Sequence, residues 1–390
     1  MRILLIHSEY LHRGGEDSVL LQEYDLLASA HEVKTIIYKN RSGLRGALQF
    51  LFSIYNFHIA TNIRNEIKLY KPDVVHFHNW HFATGPAAIR AAQRENVPII
   101  MTLHNFRLLC PSATLLLGGK IFTDSLHSSF PWKAVFGRVY RMSYLQTFWL
   151  AFVVWYHKKI GTWGMVTRYI VLTQFAKELF SSSTLGLDEN YFSVKPNFVE
   201  KSVNEYVKRE DHFLYVGRLS LEKGIMLLIE VFRNTESILY IAGDGPLQNE
   251  LSKIVSEMPN IKLLGNLSKE EVRAEMQRCT ALIFPSLWFE GMPMTIIEAF
   301  AVGTPIIASN LGAMSSMITH DKNGLHFDPN DLKDLDRQIF KWNNLSVSQK
   351  HVYSEYAEAA FYDNYTSKSN LDQLVDIYVG AKSKKMSIDN

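Results

Sequence analysis

Short apolar runs alternate with helical patterns along the whole chain, and this alternation restricts the possible folds more than any other feature. In the first half, six runs have the length and composition of buried strands: Ile3–Ile6, Val33–Tyr38, Val74–Phe77, Ile99–Leu103, Ile170–Thr173 and Phe192–Lys195. Helical patterns, such as the one over Ser18–Ala28, lie between them. This order indicates a parallel sheet that is covered by helices on both faces.

A second series of the same kind follows a polar stretch at residues 200–212, which has the composition of a linker. Its predicted strands are Phe213–Val216, Ile238–Ile241, Ile261–Leu264, Ala281–Phe284, Pro305–Ala308 and Leu325–Phe327. The chain is therefore predicted to form two doubly wound α/β domains, 1–205 and 206–355, followed by a helix and a polar tail at 356–390. Because ligands bind at the carboxyl ends of such strands, we expect a site in the cleft between the domains.

The composition excludes several classes of protein. A chain of 390 residues is too long for one ordinary core, and 47% hydrophobic with 21% charged residues is not the composition of a disordered chain. Two distant cysteines, Cys110 and Cys279, suit a reducing compartment without a structural disulfide. The apolar run Met1–Ile6 is too short for a signal sequence, and no run of 18 apolar residues exists. We therefore expect a cytoplasmic protein.

The charge is distributed unevenly. Residues 1–200 contain 21 Lys and Arg against 14 Asp and Glu, whereas residues 201–390 contain 20 against 25. The excess comes from residues 125–177, which contain seven basic residues, thirteen aromatic residues and no acidic one. One interpretation is a buried helix with a solvated basic flank. The other is an element that binds an anionic membrane surface, and residues 44–58 are a weaker case of the same kind.

The first chemical motif lies at the end of the strand Phe213–Val216. Gly217 and Arg218 follow the strand, and Lys223 and Gly224 precede a helical pattern. Glycine lets a ligand approach the backbone, and cations beside a helix N-terminus form an anion site. The alternative is a surface turn with two solvated cations. Gly243 and Gly245, in a turn after the next strand, are a weaker indication of the same kind.

The strongest motif is the stretch Phe284–Ala299, with the sequence FPSLWFEGMPMTIIEA. A strand leads into a loop that contains Glu290 and Gly291, and Pro293 suits the first turn of the helix that follows. The free amide groups of that turn can bind phosphate oxygens, and Glu298, one turn further on, can accept hydrogen bonds from a ribose diol. Three strand ends that suit phosphate in one domain make coincidence a poor explanation.

These motifs, in this order and spacing over about residues 213–328, resemble those of the retaining GT-B glycosyltransferases of family four. The resemblance implies an α/β fold of two Rossmann-like domains that face a central cleft, with a C-terminal helix crossing back to the first domain. It also implies that Arg218 and Lys223 bind the donor diphosphate, that Glu298 binds the ribose and that Glu290 lies beside the transferred sugar. The donor-binding residues expected are Gly14, Gly15, Gly217, Arg218, Lys223, Gly243, Gly245, Glu290, Gly291, Met292, Pro293, Met294 and Glu298.

The first domain contains further positions that match the family. Gly14 and Gly15 follow the first strand, where the family brings backbone amides towards the diphosphate and acceptor. In similar enzymes a histidine at the position of His104 faces the donor sugar, so the expected catalytic residues are His104, Arg218, Lys223 and Glu290. The alternative for His104 is a structural loop histidine. Many relatives have aspartate at the position of Asn105, and we expect Asn105 and His78 to lie near the acceptor.

The histidines His76, His78 and His81 are potential zinc ligands, but no cysteine or further carboxylate completes the set nearby in the sequence. Asp334 and Asp336 match the metal motif of another glycosyltransferase fold, although they lie in a polar segment typical of a helix surface. Enzymes that resemble this chain need no metal, because cations and helix ends neutralise the leaving diphosphate. We therefore expect neither a metal nor another cofactor.

The expected function is the transfer of a hexose from a UDP- or GDP-sugar, with retention, to a hydroxyl of a lipid-linked glycan acceptor. The setting expected is the synthesis of lipopolysaccharide or exopolysaccharide at the inner face of the plasma membrane, with no nucleic acid as partner. A sugar-nucleotide epimerase of the same fold and a non-catalytic sugar-nucleotide binding subunit are the alternatives. A dinucleotide-dependent oxidoreductase is disfavoured, because no Gly-x-Gly-x-x-Gly follows the first strand.

Overall fold

The computed structural model describes residues 1–11, 14–201 and 207–389, and it contains two compact units. Unit 1 comprises Met1–Leu117, Phe122–Pro196 and Asn370–Asn390, and unit 2 comprises Gly118–Ile121 and Asn197–Ser369. The proposed boundary at 205/206 lies outside the described residues, as do residues 202–206 of the proposed linker.

Unit 1 is built on a parallel sheet with the strand order β2-β1-β3-β4-β7-β8. The strands of this sheet are β1 (Arg2–Glu9), β2 (Glu32–Lys39), β3 (Val74–Asn79), β4 (Ile99–Leu103), β7 (Arg168–Val171) and β8 (Phe192–Val194). A separate two-stranded sheet is formed by β5 (Leu116–Leu117) and β6 (Lys120–Ile121). The central strands β3 and β4 are buried along their whole length, as the continuous apolar runs in the sequence predict.

Polar side chains cap three of the described helices in the first half. Asn56 accepts a hydrogen bond from the amide of Ile59, and Ser143 accepts one from the amide of Gln146. The helices are α1 (Gly15–Ala28), α2 (Gly43–Phe52), α3 (Phe57–Tyr70), α4 (Ala87–Gln93), α5 (Asp124–His127), α6 (Trp132–Phe136), α7 (Tyr144–Lys159) and α8 (Gln174–Ser181). Short 3-10 turns lie at Trp163–Met165 and Glu189–Tyr191.

Unit 2 repeats this architecture, with a parallel sheet in the order β11-β10-β9-β12-β13-β14. Its strands are β9 (His212–Val216), β10 (Ile238–Ala242), β11 (Ile261–Gly265), β12 (Ala281–Phe284), β13 (Ile306–Ser309) and β14 (Gly324–Phe327). A 3-10 turn (Leu221–Lys223) precedes the helices α9 (Ile225–Phe232), α10 (Gln248–Val255), α11 (Lys269–Arg278), α12 (Met294–Ala301), α13 (Ala313–Met317), α14 (Leu332–Asn343) and α15 (Val347–Asn364). In both sheets the strand order reverses beside the first strand, which is where ligands of such sheets bind.

The last helix, α16 (Ser367–Asp389), returns to unit 1. Leu374, Tyr378 and Ala381 are buried in the same core as Ile3 and Leu5 of β1. The preceding helix α15 instead packs in unit 2. The return to the first sheet that the family resemblance implies is therefore made by α16, which joins unit 1 from residue 370 onwards.

The aromatic, acid-free segment at 125–177 is divided between core and surface. On α7, Leu150, Ala151 and Val153 are buried, whereas Leu145 and Phe148 are exposed. The buried helix of the first interpretation is therefore confirmed for one side of α7, whereas membrane binding stays a prediction. None of the described helices is long and apolar enough to cross a membrane.

Candidate active site

Two glycine-containing turns pack closely against each other at the carboxyl ends of β9 and β10. A Cβ atom built on Gly243 (φ +135°) would lie 1.9 Å from the carbonyl oxygen of Gly217, and one on Gly245 would lie 2.5 Å from that of Leu219. The amide of Leu219 donates to the Asp244 carbonyl at 2.7 Å. No larger residue fits at Gly243 or Gly245 without a shift of the backbone, which explains why this turn is rich in glycine.

Lys223 and Glu290 form the charged centre of unit 2. Lys223 Nζ donates to Glu290 Oε1 at 2.7 Å, and the same oxygen accepts from Ser286 Oγ at 2.7 Å and from Trp288 Nε1 at 2.6 Å. Glu290 is only 8% exposed. The ammonium group also lies 5.3 Å from the centre of the Trp288 ring. The structure therefore brings together two residues that lie 67 positions apart and that the sequence analysis assigned to one site.

The start of α9 fixes this lysine close to β12. Gly224 is left-handed (φ +72°), and a Cβ atom there would lie 1.9 Å from the carbonyl oxygen of Pro285. Gly224 therefore allows the turn that carries Lys223 to approach the end of β12. Arg218, in the neighbouring turn, is exposed, and no described carboxylate pairs with it. Its guanidinium group is free to bind an anion.

Helix α12 begins after Pro293, which occupies the N-cap position with extended backbone. Glu298 lies one turn into the helix, and burial raises its pKa above the usual range, although Lys269 opposes this effect. The thioether sulfur atoms of Met292 and Met294 accept hydrogen bonds from the Asn197 backbone amide and side chain at 3.2 and 3.6 Å. The loop after Glu290 is thus held in place, and the first amides of α12 have no partner within the helix.

In unit 1, Gly14 is the N-cap of α1, and its amide donates to Asp17 Oδ2 at 2.6 Å. Asp17 Oδ1 in turn lies 2.7 Å from Nε2 of the buried His7. A Cβ atom on Gly15 would meet nothing within 4 Å, so there is open space in front of this backbone. Residues 12 and 13, which precede Gly14, lie outside the described residues.

His104 lies against a second histidine. Its Nε2 is 3.4 Å from His78 Nδ1, and Nε2 of His78 is 3.4 Å from Oε2 of the buried Glu23. Burial, and then the neighbouring His78, lower the pKa of His104 to about 3, so its ring is neutral at neutral pH. The side chain of His78 is 0% exposed. In the structure His78 lies between His104 and Glu23, and its expected place near the acceptor stays a prediction.

Asn105 has a local structural partner as well. Its Nδ2 donates to Glu16 Oε1 at 2.6 Å, and its Oδ1 accepts from the amide of Arg107 at 3.0 Å. Burial raises the pKa of Glu16, while the hydrogen bond from Asn105 acts in the opposite direction. An aspartate at this position would bring a second carboxylate against Glu16, which gives a physical reason for asparagine here.

One group of three side chains in the described part of the chain has the geometry of a metal site: Glu23, His76 and His78, whose ligand atoms lie within 4.8 Å of one another. Protein partners already hold two of them. His76 lies 2.8 Å from both the Tyr378 hydroxyl and Thr102 Oγ1, and the buried Lys195 donates to Glu23. Because the ammonium group of Lys195 already pairs with the Glu23 carboxylate, a metal cation is disfavoured at this group. His81 is not part of this group, and Asp334 and Asp336 lie on α14 as expected.

Some residues of the clusters around Glu290 and His78 were not predicted from the sequence. Ser286 and Trp288 precede Glu290 in the same loop, so their proximity to Glu290 could have indicated their role. Glu23 and Lys195 gave no such indication, because 172 residues separate them. Chemically, unit 2 offers two cations and a helix N-terminus for an anion, and unit 1 offers a neutral histidine that is supported by a buried ionic network.

Comparisons with known proteins agree with this geometry. Residues 8–202 match the model of Glycosyltransferase Family 4, and residues 198–360 match that of Glycosyl transferases group 1. The chain belongs to glycosyltransferase family 4. The resemblance that the motifs indicated is therefore confirmed.

Several curated relatives of this family 4 chain act in the synthesis of bacterial glycans, according to their names. O-antigen chain mannosyltransferase C of Escherichia coli is 28% identical over 174 residues, which are 43% of this chain and 46% of that protein. The chain thus matches less than half of that relative's length. An E. coli galactosyltransferase, UDP-Gal:alpha-D-GlcNAc-diphosphoundecaprenol alpha-1,3-galactosyltransferase, is 23% identical over 94% of both chains.

Solved structures confirm that this family 4 chain has the predicted GT-B fold. The apo form of the lipopolysaccharide outer core galactosyltransferase WaaB has a TM-score of 0.66 at 18% identity, over 98% of this chain and 100% of that chain. Anabaena HepE, solved in complex with UDP, has a TM-score of 0.66 at 16% identity, over 97% and 100%.

Proposed function

We propose that the chain transfers a hexose from a UDP- or GDP-sugar to a hydroxyl group, with retention at the anomeric carbon and without a metal ion. The observation that carries this proposal is the cluster of Lys223 and Glu290 in unit 2. It lies after Gly217 and Arg218 in the chain and directly before the N-terminus of α12. These are the groups that a nucleotide diphosphate sugar requires.

The difficult part of such a reaction is the negative charge that develops on the departing nucleotide diphosphate. Arg218, Lys223 and the first amides of α12 supply fixed positive charge and hydrogen-bond donors for it. Glu298 then accepts hydrogen bonds from the ribose hydroxyls. Because two cationic side chains and a helix terminus do the work that a divalent cation does elsewhere, we propose a reaction independent of metal.

The environment of Glu290 supports retention by attack from the front face. Its Oε1 accepts hydrogen bonds from Lys223, Ser286 and Trp288, so this oxygen is poorly suited to attack an anomeric carbon. The carboxylate instead favours the positive charge that develops on the sugar. The acceptor hydroxyl then passes its proton to the departing phosphate oxygen as the new glycosidic bond forms.

In unit 1, we propose that His104 binds the donor sugar, as the family resemblance implies. Because the pKa of His104 is lowered to about 3, the neutral ring can donate one hydrogen bond to a sugar hydroxyl without adding a charge. His78 and Glu23 then act as positioning residues beneath it. The open backbone at Gly15 leaves room for the diphosphate or the acceptor.

The names of relatives support a lipid-linked glycan as acceptor. One relative is named as an O-antigen mannosyltransferase and another as acting on a sugar linked to diphosphoundecaprenol. We propose the same class of acceptor here, in the synthesis of a cell-surface polysaccharide on the cytoplasmic side of the membrane.

An apolar face on unit 1 supports contact with a membrane surface. Helix α2 has no buried residue, and Leu44, Leu48, Leu51 and Phe52 lie along one side of it and are exposed. Trp149 of α7 donates to the carbonyl oxygen of Phe50 at 2.7 Å, so α2 lies beside the exposed end of α7. We call α2 with α6 and the first turns of α7 the membrane face.

We predict that the membrane face binds anionic vesicles. Replacing Leu48 and Leu145 with glutamate is expected to weaken binding roughly tenfold or more, because two apolar side chains no longer leave water. Flotation with vesicles that contain phosphatidylglycerol at low salt measures this. Val347 on α15 of unit 2 is 85% exposed, compared with 82% for Leu145, so Val347→Glu is the matched control. The membrane face is contradicted if the unaltered protein, the variant at Leu48 and Leu145 and the Val347→Glu variant all float equally. It is also contradicted if the unaltered protein does not float.

A panel of nucleotide sugars scored by thermal unfolding tests the donor assignment. A ligand that binds only the folded protein, at a hundred times its Kd, stabilises it by about 2.7 kcal/mol. For a chain of 390 residues this corresponds to a rise in Tm of roughly 3 °C. We expect this rise for one UDP- or GDP-sugar without added metal. An unchanged Tm with every member of the panel contradicts the proposal.

An assay without acceptor distinguishes a transferase from an epimerase of the same fold, because only an epimerase would alter the sugar in the absence of any acceptor.

A further inference from the structure

A cavity in unit 1 has no role in the donor chemistry proposed above. Its volume is about 590 Å³, which is within the range of about 300–1,000 Å³ that is common for small-molecule sites. It lies beyond the carboxyl ends of β1, β2 and β3, where ligands of doubly wound sheets bind. Arg41, Arg107, Arg141, His81 and Tyr140 are among the residues that line it. We call this cavity the arginine pocket.

The arginine pocket has strong positive charge. Three arginines line it, and no aspartate or glutamate is among the described residues that do so. One carboxylate, Glu16, lies behind Arg107 and contacts the Tyr10 hydroxyl, and burial raises the pKa of that carboxylate. Arg41 and Arg141 are exposed and have no carboxylate partner among the described residues. A pocket lined in this way favours an anion.

Polar atoms without partners also lie in the wall of the arginine pocket. His81 is only 2% exposed, and its Nδ1 has no hydrogen-bond partner in the described part of the protein. The same holds for Nδ2 of Asn40 and for Nε and Nη1 of Arg107. Buried polar atoms are rarely left unpaired in a folded protein, so this concentration indicates a ligand that accepts hydrogen bonds.

The backbone around the arginine pocket agrees with a binding role. Ser42, the N-cap of α2, makes no side-chain cap, and it lines the pocket together with Gly43. Phe82 and Arg141 are held in the left-handed region (φ +61° and +50°), which costs free energy for residues with a side chain. The N-terminus of α2 therefore adds further donors to the three arginines.

We propose that the arginine pocket binds the diphosphate group of a lipid-linked acceptor, an assignment that rests on the proposed function. The diphosphate of such an acceptor is esterified at both ends and carries one negative charge on each phosphate. Three arginines, a histidine and a helix N-terminus match it in charge and in hydrogen bonding. The pocket is walled by α2 and by the loop before α7, and both belong to or adjoin the membrane face. A lipid whose chain remains in the bilayer therefore delivers its diphosphate to this position.

The test uses farnesyl diphosphate as the probe and the complete protein saturated with UDP, which keeps the probe out of the donor site. Titration calorimetry measures its affinity for the unaltered protein and for Arg41→Ala and Arg141→Ala. Both arginines are exposed, so these variants are expected to fold. We expect affinity to fall about tenfold or more in each, because each loses a charge-assisted hydrogen bond. Arg138→Ala is the matched control, since Arg138 is exposed in the same loop but does not line the pocket.

The outcomes separate this inference from the proposed function. Unchanged affinity in the Arg41 and Arg141 variants, or an equal loss in Arg138→Ala, overturns the arginine pocket as a diphosphate site. If inorganic pyrophosphate binds as tightly as farnesyl diphosphate, the ligand is a free diphosphate and the lipid-linked acceptor is overturned. The rise in Tm with UDP is measured in the unaltered protein and in each variant. If UDP does not raise the Tm of the unaltered protein, this result counts against the donor assignment alone.

Discussion

Replacing Lys223 with alanine abolishes sugar transfer while the chain stays folded: we expect kcat to fall about a thousandfold. The variant loses the cation for the departing diphosphate, and it also leaves Glu290 without its ionic partner. Ser286 and Trp288 still donate to Glu290 Oε1, so the loop retains two of its three hydrogen bonds. Transfer of radiolabelled sugar measures activity, and circular dichroism measures folding. Arg218→Ala is expected to have a similar effect.

Lys253→Ala is the matched control for this prediction. Lys253 lies on the surface of α10 in the same unit, so this variant loses the same charge away from the proposed site. We expect it to retain full activity. An active Lys223→Ala variant would mean that the diphosphate is bound elsewhere. A partly active Lys223→Arg variant is expected, since it keeps the charge but changes the geometry.

A second large effect concerns stability. Replacing Lys195 with methionine is expected to lower the free energy of unfolding by about 3–5 kcal/mol, because it leaves a buried carboxylate without a counter-charge. Lys195 is 0% exposed and donates to Glu23 and to Asn370 Oδ1, the latter at 3.1 Å. Asn370 in turn donates to the carbonyl oxygen of Pro196 at 2.6 Å. The lysine therefore joins α1, the end of β8 and the start of the returning helix α16.

Urea unfolding measures this loss, and Lys34→Met provides the control. Lys34 pairs with Glu66 at 2.6 Å, but both side chains are more than a third exposed, so we expect a loss of less than about 1 kcal/mol. The double variant Lys195→Met with Glu23→Leu removes both charges and is expected to regain much of the stability. If Lys195→Met is no less stable than Lys34→Met, the buried pair does not hold this part of unit 1 together.

The sequence was sufficient to predict both sheets. Each run assigned as a strand, from Ile3–Ile6 to Leu325–Phe327, forms a strand with bounds within about three residues of those expected. The reason is physical: central strands of parallel sheets are apolar on both faces and are therefore visible as continuous runs. Glycine positions such as Gly217 and Gly243 were also visible, because close backbone approach leaves no room for a side chain.

Contacts between distant residues could not be predicted in the same way. Nothing near Glu23 indicates that Lys195 neutralises it, and nothing near His78 shows that the ring lies beneath His104. Likewise, composition alone could not divide the aromatic segment at 125–177 into a buried and an exposed part. Such features depend on which face of a helix meets the sheet, and this is set by packing over the whole unit.

Part of the basic excess in the first half of the sequence lies at the arginine pocket. Of the three arginines that line the arginine pocket, Arg141 belongs to the acid-free segment, whereas Arg41 and Arg107 come from other parts of the first half. The fold thus brings one arginine of the acid-free segment together with two arginines from elsewhere in the first half.

The most direct test of the account is one transfer reaction followed by nuclear magnetic resonance. The protein, the nucleotide sugar selected by thermal unfolding and a lipid-linked acceptor are combined with an excess of chelator. We expect a glycoside whose anomeric configuration equals that of the donor, formed at the same rate with and without chelator. An inverted product, or a reaction that stops on chelation and recovers with a divalent cation, would contradict it.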